Sequence, residues 1–195
     1  MVDRLKGKVA VVTGAAPRGE GVGNGMATAI QFAREGARGG TREGGCVCRQ
    51  VRYRMAGEPL FVHACHCTWC QRETGGAFAT NATIEADRVE SIGQITPVLV
   101  DTPSASGKGQ RIWRCPNCQV ALWSNYSGSG DKVRFVRVGT LDAGHGIEPD
   151  IHIFTSTKLP WVVLPPGAKA VPEFYKPSEL WPAESRERFA ALRKQ

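Results

Sequence analysis

The chain has 195 residues, of which 42% are hydrophobic, enough to bury the core of one domain that carries an appendage. No stretch approaches the roughly 18–20 consecutive apolar residues that a membrane-spanning helix needs, which argues against a membrane protein. The net charge of +7 would suit an acidic partner, but the lysines and arginines are scattered without a basic run, which argues against nucleic acid.

The N-terminus carries only a weak likeness to a secretory signal. Basic residues precede the apolar run of residues 9–12, but Thr13 and Gly14 end that run short of the roughly 7–15 apolar residues of a signal. We therefore expect a cytoplasmic protein, whose thiols stay reduced.

The first 40 residues differ in pattern from the rest of the chain. An apolar run over residues 7–13 predicts a buried strand, a glycine-rich turn follows, and helical spacing over residues 26–35 predicts a helix. This order resembles the start of a short-chain dehydrogenase/reductase. However, no second strand follows Gly36, the glycines lack the GxGxxG spacing, and no Tyr-x-x-x-Lys is present. We predict that residues 1–40 are a truncated, non-functional Rossmann-like fragment that binds no NAD(P).

From residue 44 onward the pattern is mostly β. Runs rich in β-branched and aromatic residues, separated by Gly and Ser turns, predict six strands. They are Gln50–Met55, Ala77–Ile84, Gln110–Arg114, Val120–Ser124, Val133–Val138 and Ile151–Phe154. A short basic helix is predicted from Pro182 to Lys194. The predicted fold class is therefore mainly β with a C-terminal helix.

All seven cysteines fall into three groups. The first group is Cys46-Val-Cys48, the second is Cys65-His-Cys67-Thr-Trp-Cys70, and the third is Cys115-Pro-Asn-Cys118. The odd number and a reducing compartment argue against a disulfide framework. Short spacings of this kind let one turn supply two thiolate ligands, which favours zinc.

The count of sulfurs suggests two metal sites, one of four cysteines and one of three. The third group supplies two ligands and needs a second pair, for which either other group is a candidate. The second group is contiguous enough to hold one metal alone, which leaves the first group to complete the four-cysteine site. Such a site is closed and structural, whereas three ligands keep one position open. The predicted metal ligands are Cys46, Cys48, Cys65, Cys67, Cys70, Cys115 and Cys118.

The three motifs in this order resemble the glutathione-dependent formaldehyde-activating enzyme family, which also includes centromere protein V. The resemblance runs over about residues 44–165 and rests on G-G-C-x-C, C-H-C-x-x-C-x-R and C-x-x-C-x-x-A-L-W. It implies a β-tent (Mss4-like) zinc-binding domain over residues 41–181, a helical tail over residues 182–195, and two Zn²⁺ ions. Arg49 and Gln119 follow a cysteine where the family commonly has glycine, which would ease a tight backbone.

The resemblance assigns the first and third groups to the structural zinc and Cys65, Cys67 and Cys70 to the catalytic one. Three thiolates leave a zinc site with a formal charge of −1, so its open position should prefer a soft substrate thiol. A thiolate held there can add to an aldehyde, and the reverse step breaks a carbon–sulfur bond. We expect a carbon–sulfur lyase acting on a small thiol and an aldehyde, which the resemblance implies are glutathione and formaldehyde. The alternative is a non-catalytic, zinc-stapled binding module, with nucleic acid as a candidate partner.

His66 lies between two predicted ligands and is the nearest candidate to move a proton during this addition. If residues 63–67 are extended, His63, Cys65 and Cys67 share one face, and His63 becomes a candidate fourth ligand. His152 lies in a strand-like run and is predicted to be a core residue, while His145 has no local signature.

Other side chains near these motifs are weaker candidates. Trp69 and Phe78 suit the core or a pocket wall. Arg72, Lys108 and Arg111 could bind substrate carboxylates, but surface positions are favoured.

Overall fold

The structure is a computed structural model that describes residues 40–104, 107–143 and 146–192. The predicted strand–loop–helix fragment lies outside the described residues apart from Gly40, and so does His145. The described residues divide into two compact units. Residues 40–42 and 56–58 belong to one unit, in which Arg42 donates to the Glu58 carboxylate at 3.0 Å. The other unit contains residues 43–55 and those from 59 onward, and it carries all seven cysteines.

Within the described residues the chain forms ten strands and three α-helices. The strands are β1 Thr41–Gly45, β2 Arg52–Ala56, β3 Phe61–Cys65, β4 Ala79–Glu85, β5 Val89–Ser91, β6 Val98–Thr102, β7 Gln110–Arg114, β8 Ala121–Tyr126, β9 Val133–Arg137 and β10 Ile151–Ile153. The helices are α1 Thr68–Thr74, α2 Pro177–Leu180 and α3 Ala183–Leu192. None of the described helices is long and apolar enough to cross a membrane.

The strands form two sheets. A three-stranded sheet has the order β1-β2-β5, and a seven-stranded sheet has the order β10-β3-β4-β9-β8-β7-β6. Neighbours in the larger sheet are antiparallel except β10, which runs parallel to β3. The mainly β, Mss4-like fold class with a C-terminal helix is confirmed, and each of the six predicted strands overlaps an observed one. The sequence pattern did not indicate β1, β3, β5, β6, α1 or α2.

Strands β3 and β4 of the seven-stranded sheet are buried on both faces, whereas the edge strand β6 is exposed. Paired residues of adjacent strands point to the same face, and positions two apart in a strand do so as well. One face carries Val62, Ala82 and Val136, which pack in a core with Tyr53 and Met55 of the smaller sheet. We call this the inner core.

The opposite face contributes to a second core, which we call the outer core. Its buried members are Leu60, Phe61, Cys65, Cys70, Ala79, Ile151, Ile153 and Trp181. The first and third cysteine groups belong to the inner core and the second group to the outer core. The two sets of sulfurs are therefore attached to different cores of one unit.

The C-terminal helix is fixed to the strands by a buried ion pair. Arg188 of α3 donates through Nε and Nη2 to the Glu85 carboxylate at 2.8 and 2.7 Å. Burial alone would raise the pKa of Glu85, but the hydrogen bonds from Arg188, a backbone hydrogen bond and the charges of Arg188 and Arg88 together outweigh it, and the pKa is lowered. The ring of Phe189 in α3 also packs edge-on against Trp181, with centroids 5.4 Å apart.

Two candidate metal centres

The first and third cysteine groups converge into a four-cysteine cluster. Cys46 and Cys48 lie in the turn after β1, and Cys115 and Cys118 lie in the turn between β7 and β8. All four Sγ atoms lie within 4.8 Å of one another, with Cys48 and Cys115 at 3.7 Å. Tetrahedral zinc with Zn–S bonds of about 2.3 Å places its sulfurs about 3.8 Å apart, so this donor set fits zinc.

The backbone forms two similar turns around these sulfurs. The N–H of Arg49 donates to the carbonyl of Cys46 at 3.0 Å, and the N–H of Gln119 donates to the carbonyl of Cys115 at the same distance. Both donors have left-handed backbones, with φ of 62° at Arg49 and 60° at Gln119. These are the positions where the resembled family commonly has glycine, and glycine adopts such angles without steric cost. The turns therefore carry backbone strain in this chain.

The second cysteine group forms a three-cysteine cluster at the end of β3. Cys65 is the last residue of β3, Cys67 is the N-cap of α1, and Cys70 lies in the first turn of that helix. The Cys67 Sγ accepts the Cys70 backbone N–H at 3.4 Å, which places both sulfurs on one side of the turn. All three Sγ atoms lie within 4.8 Å of one another. Three thiolates in this arrangement can hold a zinc ion with one position left open.

The sulfurs of both clusters share protons unequally. Hydrogen bonds from Cys65 and Cys70 lower the pKa of Cys67 to about 2, while the hydrogen bonds that Cys65 forms with Cys67 and Cys70 raise the pKa of Cys65. In the other cluster, hydrogen bonds from the Gln50 backbone and the Asn117 side chain lower the pKa of Cys48 to about 6. Since thiols bind metal as thiolates, the lowered pKa values of Cys67 and Cys48 favour metal binding at both clusters.

His66 lies between Cys65 and Cys67 in the sequence, is buried, and pairs with a second histidine. Its Nε2 lies 2.9 Å from Nδ1 of His152, while its Nδ1 is buried with no hydrogen-bond partner among the described residues. Burial lowers the pKa of His66 to about 4, so the ring is neutral at pH 7. The ring also packs on Phe78, with centroids 4.9 Å apart. His152 is a buried strand residue, as the sequence predicted.

His63 does not join the three-cysteine cluster. Its Nε2 lies 2.6 Å from the Tyr175 hydroxyl, and its Nδ1 lies 3.4 Å from the Thr83 hydroxyl. The extended segment that would have aligned it with Cys67 ends at Cys65, because the chain turns there into α1. The interpretation of His63 as a fourth ligand is therefore wrong for this structure.

A groove of about 560 Å³ opens beside α1. Its lining includes Phe78, which contacts His66, and Cys118 of the four-cysteine cluster. Two arginines, Arg114 and Arg137, also line it, and Arg114 forms an ion pair with Glu73 of α1. An anionic or polar ligand would suit such a lining.

The basic residues singled out from the sequence are not those that line this groove. Arg72 is exposed on α1, and Arg111 is paired with Asp131 at 2.7 Å on the surface. Arg114 and Arg137 were not among the candidate residues that the sequence indicated. Arg137 had a usable signal, since it interrupts the apolar run of Val133–Val138, where a charged residue in a buried strand calls for a partner.

Comparisons with known proteins agree with the cysteine pattern. The family model described as glutathione-dependent formaldehyde-activating enzyme matches residues 41–157, more than half of the chain and all seven cysteines. A crystal structure of a Rhodobacter sphaeroides protein from a structural genomics programme is 20% identical, with a TM-score of 0.38. The similarity covers 55% of this chain and 91% of that one. No curated protein gives a significant match.

The strained turn at Arg49 predicts a stabilising substitution. Arg49→Gly should raise the free energy of unfolding by about 0.5–1 kcal/mol, because relief of a left-handed non-glycine residue outweighs the added entropy of the unfolded chain. Urea unfolding of the metal-loaded protein measures this change. Arg49→Ala is the matched control, since it removes the same side chain but keeps the Cβ atom. If alanine stabilises the protein as much as glycine does, backbone strain is not the cause.

Proposed function

Because the chain belongs to the glutathione-dependent formaldehyde-activating enzyme family, we propose that it is a zinc-dependent carbon–sulfur lyase. It would form or break a thiol–aldehyde adduct at the three-cysteine cluster. The observation that carries this proposal is the gathering of the Sγ atoms of Cys65, Cys67 and Cys70 within 4.8 Å, without a fourth His, Cys, Asp or Glu ligand atom among the described residues. A three-ligand zinc is the arrangement that metalloenzymes use to admit a substrate.

We assign the two clusters different roles. The four-cysteine cluster is closed, and its zinc would hold the turns after β1 and β7 together. The three-cysteine cluster would hold the second zinc, which when bound lowers the pKa of a substrate thiol and supplies it as a thiolate at neutral pH. Each chain would then bind two zinc ions.

The reaction needs one bond to form and one proton to move. The substrate sulfur donates an electron pair to the carbonyl carbon of the aldehyde, and the carbonyl π electrons move to the oxygen. The proton lost by the thiol must reach that oxygen to give the neutral hydroxymethyl thioether. The reverse sequence releases thiol and aldehyde, so no oxidant or reductant is consumed.

We propose that His66 carries this proton. Its ring is neutral at pH 7, and its buried Nδ1 has no partner among the described residues, so in the tautomer that donates from Nε2 to His152 this nitrogen can accept a proton. The other nitrogen is held by His152, and the backbone carbonyl of His66 accepts from Gln71 and Thr157 at 2.7 and 3.0 Å. These contacts fix the ring, as a general base requires.

The substrates proposed from the family are glutathione and formaldehyde. The groove beside α1 is large enough for a small peptide thiol and presents Arg114 and Arg137. Phe78 and Ala79 line this groove. The ring of Phe78 packs on His66, and Ala79 belongs to the outer core, so we take the groove as the candidate substrate entry.

The proposal predicts faster exchange between free formaldehyde and its thiol adduct. Carbon-13 magnetisation exchange measures this rate at equilibrium with glutathione and labelled formaldehyde, and zinc-loaded wild type should increase it in proportion to protein concentration. Cys67→Ser should return exchange to the spontaneous rate, because it removes a ligand of the open site. Thr68→Ser, an exposed neighbour in α1, is the matched control and should keep the wild-type rate. Wild type that holds two zinc ions yet leaves the rate unchanged would contradict the proposed reaction.

The role of His66 predicts a different effect for each member of the histidine pair. His66→Gln should lower kcat about 100-fold with unchanged zinc content, the usual loss when a general base is removed. His152→Gln, which removes only the supporting partner of His66, should lower kcat by less than about tenfold. Equal losses in the two variants would show that the pair is only structural.

A further inference from the structure

Arg137 is a buried cation without a carboxylate partner. It is the last residue of β9, its exposed fraction is 6%, and no Asp or Glu among the described residues forms an ion pair with it. Its guanidinium donates from Nη1 to Asn81 Oδ1 and from Nη2 to the Ser124 hydroxyl at 3.3 Å. Its Nε is buried with no hydrogen-bond partner in the part of the chain that the structure describes. A buried charge is costly unless an opposite charge compensates it, so Arg137 calls for an anion nearby.

Strand register places Arg137 on the same side of the sheet as the three-cysteine cluster. Arg137 pairs with Asn81 across β9 and β4, and Asn81 pairs with His63 across β4 and β3. Cys65 lies two residues beyond His63 in β3 and therefore points to the same face. The guanidinium and the first sulfur of the cluster thus project from one face of the sheet.

The electrostatic interactions of neighbouring groups agree with this placement. Burial raises the pKa of Tyr126, the charge of Cys70 raises it further, and Arg137 lowers it. Tyr126 therefore lies within the fields of both Arg137 and the cysteines.

We propose that Arg137 is the counter-ion of the three-cysteine metal cluster and favours an anionic sulfur as its fourth ligand. This inference rests on the proposed function. Three thiolates on a divalent metal give a charge of −1, and a substrate thiolate would raise it to −2. One buried guanidinium returns the loaded site to −1, which makes binding of a thiolate less costly than at an isolated cluster. Arg137 acts here through charge and is a positioning residue rather than a catalytic one.

The other described charges at this groove do not supply the same compensation. Arg114 forms an ion pair with Glu73, and its guanidinium also donates to the Gln119 carbonyl at 3.0 Å. The net charge of that pair is zero. Arg137 is therefore the one described cation lining the groove whose charge no carboxylate neutralises.

Cobalt-substituted protein gives a test that does not depend on turnover. Sulfur-to-cobalt charge-transfer absorption reports a fourth thiolate, and titration gives the Kd of the added thiol. The probes are 2-mercaptoethanol, which has no carboxylate, glutathione, which has two, and imidazole, which binds as a neutral ligand. The variants are Arg137→Gln, which removes the charge, and Arg137→Lys, which keeps it.

Arg137→Gln should raise the Kd of both thiols by a similar factor, about 10- to 100-fold, and should leave the Kd of imidazole within about threefold of the wild-type value. Arg137→Lys should bind both thiols nearly as tightly as wild type, because thiolate binding depends on the positive charge rather than on the two hydrogen bonds of the guanidinium. Circular dichroism and cobalt content at the wild-type level establish that each variant is folded and loaded. If Arg137→Gln does not bind cobalt, the test rests on Arg137→Lys. A loss of thiol affinity in Arg137→Lys would then overturn the proposal.

Two further outcomes would also overturn it. If Arg137→Gln weakens the binding of glutathione but not of 2-mercaptoethanol, Arg137 binds a substrate carboxylate and is not the counter-ion. If wild type takes up two cobalt ions and binds thiol, but Arg137→Gln binds both thiols normally, the counter-ion proposal falls while the proposed function stands. Wild type that takes up only one cobalt ion would instead remove the proposed function and this inference together.

Discussion

The four-cysteine cluster joins two turns that are far apart in the chain. Cys48 and Cys115 are separated by 67 positions, yet their Sγ atoms lie 3.7 Å apart. One turn precedes β2 of the smaller sheet, and the other connects β7 and β8 of the larger sheet. A metal at this point would close a long loop and so remove much of the entropy of the unfolded chain. The inner core that includes Tyr53, Met55 and Val136 is assembled beside this junction.

The three-cysteine cluster depends on that framework but is built differently. Its ligands come from six consecutive positions, so the local turn from β3 into α1 already brings them together. What the larger sheet adds is the environment, namely the His66–His152 pair, the ring of Tyr126 and the guanidinium of Arg137. Tyr126 and Arg137 come from β8 and β9, and the strand register places them on the same face of the sheet as Cys65, while His152 comes from β10 and pairs with His66. A group of four sulfurs beside one core and a group of three beside the other are the basis of the different roles proposed for the two clusters.

The sequence predicted the local parts of this arrangement and missed the long-range ones. Cysteine spacing grouped the sulfurs into four and three as the structure places them, because two ligands from one turn leave a short and recognisable pattern. The sequence also indicated that Arg49 and Gln119 stand where the resembled family commonly has glycine, and both residues have left-handed backbones. That the clusters hold zinc, and that residues 1–40 are a non-functional fragment, stay predictions.

The parallel pairing of β10 with β3, which brings His152 to His66, has no local signature. The extended interpretation of residues 63–67 failed for a related reason. An N-cap cysteine ends the strand pattern at Cys65, and His63 is turned towards Tyr175, which is 112 positions away. Arg137 could have been noticed as a charge in a buried strand, but its relation to the cysteines required the register of three strands.

Zinc content per chain tests the central claim most directly. Elemental analysis of protein purified without oxygen should give two zinc ions in wild type and one in Cys67→Ala, with the fold retained in both. This result would establish that the closed and the open cluster bind metal independently. A single zinc in wild type that is unchanged in Cys67→Ala would leave only the four-cysteine cluster occupied and would contradict an open zinc site as the centre of function.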